Sequence, residues 1–66
     1  MNGELRAKAQ RVIETHLPEI MQAVEETGEN VSADDIAEGL YYEVLDRLNL
    51  KEDEGIMAMC LGYCVN

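Results

Sequence analysis

The sequence predicts an all-α protein, a small three-helix bundle, on three observations. Apolar residues recur at intervals of three and four along two segments, Leu5 to Val24 and Ile36 to Leu48, the pattern of helices that each bury one face. Residues that start and stop helices flank those segments: Asn2, Thr27-Gly28 and Ser32-Ala33-Asp34-Asp35. The third observation is Gly55 to Val65, reading G-I-M-A-M-C-L-G-Y-C-V, with no charge in a chain where charged residues make up 29%. Its Met, Ala and Leu favour helix, and only Ile56, Tyr63 and Val65 favour strand.

In the first segment Asn2 suits a helix cap and Glu4 suits the positive end of the helix dipole. The inward stripe is Leu5, Ala9, Val12, Ile13, His16, Leu17, Ile20, Met21 and Val24. Pro18 removes one backbone donor and disfavours helical geometry at Leu17. Because the stripe keeps its phase across Pro18, a single bent helix of about residues 3 to 27 is expected. Four helices result if Pro18 instead begins a new one. Gly28, free to turn left-handed, ends this element.

Ser32 and Asp35 then read as a capping box. The helix that follows, to about Leu48, turns Ile36, Ala37, Leu40, Tyr41, Val44, Leu45 and Leu48 inward. Asp34, Glu38, Glu43 and Asp46 take the other side. Gly39 costs about 1 kcal/mol relative to Ala, which suggests a close helix crossing there. Tyr42 falls outside the stripe and is expected at the surface or at an interface edge.

Asn49-Leu50-Lys51-Glu52 offers a second capping box, with Glu52, Asp53 and Glu54 as the acids of a first turn. At about 100° per residue, Ile56, Met57, Cys60, Tyr63 and Cys64 share one arc, extended by Leu61 and Val65. Gly55, Ala58 and Gly62 form the opposite arc, with Met59 at its border, and Gly62 is a possible early stop. A helix that is apolar all round has to be covered. This carboxy-terminal helix is therefore expected to be the most buried of the three or to lie at an interface. Its small-residue arc would receive a neighbouring helix of the same chain, a second copy, or a target.

Sixty-six residues make one domain, 1–66, and a chain of that size buries only about 60% of its unfolded surface. Oligomerisation commonly supplies the missing stability. A hydrophobic content of 47% argues for a folded chain despite the net charge of -9. No apolar run follows the basic residues of M-N-G-E-L-R-A-K, and the longest apolar stretch falls well short of the roughly 20 residues of a membrane span. The expected location is cytoplasmic, away from membranes, with Cys60 and Cys64 reduced.

From Glu14 to Glu54 there are thirteen acids against Arg47 and Lys51, and beyond Glu54 there is no charge. Such a field repels nucleic acid and favours encounter with a basic surface. The groups needed for catalysis are scarce: His16 is the only histidine and Ser32, a helix cap, the only serine. No phosphate loop, zinc-protease pair or calcium loop is present. No enzyme activity and no cofactor are expected. Cys60 and Cys64, one helical turn apart, would supply half a zinc site, but nothing adjacent completes it, and no metal site is assigned.

A short acidic helical chain with Ser at a helix start looks like an acyl carrier protein, but that family's Asp-Ser-Leu is missing, since Ala33 and Asp34 follow Ser32. In size, acidity and lack of catalytic groups the chain resembles phage-encoded inhibitors of bacterial defence, including anti-CRISPR proteins. That similarity is one of composition, carried by no motif. It implies a non-enzymatic inhibitor of a host protein complex, whose acidic helix faces imitate nucleic-acid phosphates. The expected partner is a protein with a basic or apolar surface, met through Glu38, Tyr42, Glu43 and Asp46 or through Gly55, Met57, Ala58, Met59, Leu61, Gly62 and Tyr63. One alternative is a structural homodimer, an assembly or adaptor subunit with Gly55, Ala58 and Gly62 at its seam. A second is a small metal-binding protein using Cys60 and Cys64.

Overall fold

Local signals set most helix boundaries of the bundle, which is seen in a computed structural model that describes residues 2–65. Its helices are α1 (Gly3–Thr27), α2 (Ala33–Leu48) and α3 (Glu54–Val65). The Asn2 side chain accepts the Leu5 N–H at 2.7 Å and so caps α1. Gly28 closes it at φ 70°, its N–H donating to the Val24 carbonyl at 3.1 Å. Pro18 stays inside one continuous helix, so the four-helix alternative falls away. Pro18 is exposed, as is Glu14 one turn before it, so the missing hydrogen bond lies on the outer side of α1.

Ser32 caps α2 by accepting the Asp35 N–H at 3.2 Å. The reciprocal bond of a capping box is absent among the described residues; Asp is one methylene shorter than the Glu usual at that position. Asn49, expected to start the third helix, instead ends α2 in the left-handed region at φ 53°. Leu50 N–H reaches back to the Leu45 carbonyl at 2.9 Å, and the Leu50 side chain packs against the core. That combination is a Schellman-type closure, which Asn tolerates nearly as well as Gly.

The cap of α3 is therefore Asp53, whose Oδ1 accepts the Gly55 N–H at 2.8 Å and the Ile56 N–H at 3.4 Å. Asp53 is itself held by its own N–H, which donates to the Tyr41 hydroxyl at 2.9 Å. Gly62 does not end α3, which runs on to Val65.

The core comprises Ala9 and Ile13 of α1, Ala37, Leu40, Tyr41, Val44 and Leu45 of α2, and Ile56 and Cys60 of α3. Burying a side chain the size of Leu40 or Ile56 contributes about 1.5–3 kcal/mol. With Ile36, α2 buries six residues and α3 only two, so α2 is the most buried helix. Of the two alternatives for the carboxy-terminal helix, the first, that it is the most buried, falls away. The reason lies in the packing: α3 rests mainly on α2 and only lightly on α1. One side of an apolar helix is thereby left uncovered.

Both connections are five residues long, which makes successive helices antiparallel neighbours and sets α3 parallel to α1. At 1.5 Å per residue the 25 residues of α1 span about 37 Å against about 18 Å for the 12 of α3. Met21, expected on the inward stripe of α1, is 47% exposed. Among the described residues no helix is long and apolar enough to cross a membrane.

Candidate functional site

Two surfaces of this bundle carry side chains that its own packing does not use. The first is the solvent face of α2. Glu38, Tyr42 and Asp46 follow one another at single-turn spacing, and all three are exposed, Tyr42 at 54%. Among the described residues neither Glu38 nor Asp46 has an ion-pair partner. The Tyr42 ring leans on buried Tyr41, with centroids 5.3 Å apart and planes tilted by 58°, a favourable aromatic geometry. Beside Tyr42 lies a shallow hollow bordered by Gly39, Asp46 and Asn49.

One expectation about this face is corrected. A Cβ added at Gly39 would meet nothing within 4 Å, so no helix crosses there; the glycine leaves the hollow open. Glu43 borders the same hollow as Tyr42 and Asp46, but its carboxylate already has partners. Its Oε1 accepts from Arg47 Nε at 2.6 Å and lies 4.0 Å from His16 Nδ1, which is also 3.3 Å from Glu19 Oε2. The Arg47 hydrogen bond, above all, holds the Glu43 carboxyl below the usual carboxylate range, against an opposing effect of burial, and nearby His16 acts with the arginine. Glu43 thus lies where α2 meets α1, beside His16, whose side chain is only 15% exposed.

The second surface is a groove between α1 and α3, lined by Arg6, Gln10, Gly55, Ala58, Met59, Gly62 and Tyr63. Ala58 and Gly62 are exposed, and a Cβ at Gly62 would meet no atom within 4 Å. Among the described residues no helix covers the arc at Ala58 and Gly62. Met57 and Leu61 do not belong to this groove; both are half-buried against the core on the other side of α3. Tyr63 closes one end by donating its hydroxyl to Glu14 Oε1 at 3.3 Å. Burial, and after it the Glu14 carboxylate, pushes the Tyr63 phenol above its ordinary 10.0. It therefore remains a donor at neutral pH.

Arg6, Gln10 and Glu14 are the participants that sequence reasoning missed. Their i, i+4, i+8 spacing marks one face of α1, but only the packing reveals that α3 lies beside it.

Cys60 is fully buried and its thiol is pushed up to about 11, by burial first and by neighbouring Cys64 second; burial also raises Cys64. A thiol kept protonated is neither a good nucleophile nor a ready metal ligand. Among the described residues no three His, Cys, Asp or Glu side chains cluster in a way that could hold a metal ion.

Comparison with known proteins adds no assignment: no family model, no curated protein and no solved structure matches the chain.

Proposed function

We propose that this protein is a non-enzymatic binding module that docks on a basic surface of another protein through the solvent face of α2. The observation that carries this reading is Tyr42, exposed between Glu38 and Asp46 with both carboxylates free of ion pairs among the described residues. A protruding aromatic ring flanked by uncompensated acids suits Arg and Lys side chains. The ring face attracts the cation, and the carboxylates take its hydrogen bonds. The acids steer the encounter, while the ring supplies buried contact area.

An inhibitor fits this chemistry best. Asp34 and Glu38 are exposed one turn apart, about 6 Å at 1.5 Å per residue, and Asp46 follows two turns on, so the face offers a basic groove a row of charges in place of nucleic-acid phosphates. The compositional similarity to phage-encoded inhibitors, including anti-CRISPR proteins, supports the same reading.

The test is a nuclear magnetic resonance titration with an arginine-rich peptide as probe. Shifts should concentrate at residues 34–46, diminish as salt is raised, and vanish in the Glu38→Lys/Asp46→Lys variant while its helical circular dichroism is unchanged. Equal binding by that variant would remove the α2 face from consideration.

A further inference from the structure

We infer that the groove between α1 and α3 is covered by a second copy of this chain, arranged antiparallel about a two-fold axis. The charge pattern of the groove selects this occupant. Arg6, which lines the groove, and Glu14, which accepts from Tyr63 at one end of it, are two turns apart on α1, about 12 Å at 1.5 Å per residue. Among the described residues Arg6 has no ion-pair partner, and Glu14 uses only Oε1, for Gln10 and Tyr63. A basic target would match one end and an acidic target the other. An antiparallel copy matches both, because each Arg6 then faces the Glu14 of the second copy.

The small residues permit the same arrangement. A two-fold axis passing between Ala58 and Met59 sets Gly55 of each copy opposite Gly62 of the other, so that contacts are reciprocal. At Ala58 and Gly62 no bulky side chain holds the two backbones apart, and Met59 and Tyr63 border the contact. Self-association is also best tolerated here. In a chain of net charge -9, two copies meeting through α2 would oppose acid to acid, whereas α3 beyond Glu54 carries no charge.

An ordinary interface covers about 800 Å² per partner, a large share of this chain's 4669 Å². Only one face of a 37 × 20 × 17 Å body is open to the contact, so the dimer should be reversible. This inference concerns a different surface from the α2 face and stands or falls separately from it.

The experiment is sedimentation equilibrium of the whole chain from about 1 μM to about 1 mM, alongside three variants checked by circular dichroism. The wild type should pass from monomer to dimer within that range. Ala58→Glu, which places two carboxylates at the axis, should remain monomeric. Arg6→Glu should weaken the dimer at least tenfold, and Arg6→Glu/Glu14→Arg should restore most of the loss. Both charge changes are at exposed positions, so they keep the test valid if Ala58→Glu fails to fold. A wild type that stays monomeric throughout overturns the inference. So does a dimer that tolerates Ala58→Glu, or an Arg6→Glu loss that the charge swap leaves unrepaired.

Discussion

Cys60 shows how much depends on single side chains in so small a core. It has no exposed surface and packs with Ile56 against α2. Burial lifts its thiol from 9.0 to about 11, because a thiolate there would lose its hydration. Between those values the unfolded chain has released a proton that the folded chain still holds. Stability is therefore fully present below pH 9 and falls as pH rises through 9 toward 11. Urea unfolding of the reduced protein at pH 8 and pH 10.5 should show a lower midpoint at the higher pH, and Cys60→Ala should reduce that difference. At the same scale Tyr41 joins two roles. Its ring supports Tyr42, and its hydroxyl accepts the N–H of Asp53, whose carboxylate starts α3. The α2 face and the start of α3 thus share one buried residue.

Among the elements, α1 and α2 were legible because their boundaries are local. The Asn2 and Ser32 caps and the left-handed Gly28 each act within three or four residues. Asn49-Leu50-Lys51-Glu52 misled because its letters suit a helix start equally well. What decides is the burial of Leu50 against the core, a tertiary fact that makes Asn49 a terminator. The open side of α3 was partly legible: its small-residue arc appeared in the sequence, but the α1 half of the groove did not. Pro18 is the remaining conflict between element and sequence. The apolar phase of α1 overrides it, and its exposed ring contributes little packing. Pro18→Ala restores a backbone donor and removes the clash with the preceding turn, so it should stabilise the fold by about 1–3 kcal/mol. In a domain of this size each kcal/mol raises the melting temperature by about 4–8 °C, and thermal circular dichroism would measure it. An unchanged or lower value would mean that the freed turn serves packing.

For the whole molecule, the balance of charge sets the response to salt. Among the described residues the ion pairs of Lys and Arg, Lys8 with Glu4 and Arg47 with Glu43, join neighbouring turns of one helix at the surface, and pairs of that kind contribute little. Fourteen acids against five basic residues repel one another across a body of only 37 × 20 × 17 Å. Shortening the screening length from about 30 Å at 0.01 M to about 8 Å at 0.15 M salt should therefore remove more repulsion than attraction. The melting temperature should rise over that range, by several degrees on the scale above. Docking of α2 on a basic partner has the opposite sign, because screening removes the attraction that brings the two together. The antiparallel pairing of the α1/α3 groove would carry an acidic α2 face outward on each copy, and two linked faces hold a repetitive basic surface more tightly than either alone. A salt series that reads melting temperature and peptide binding on the same samples separates these effects. If the melting temperature falls as salt rises, the surface ion pairs outweigh the repulsion, and the acids of α2 serve the fold before any partner.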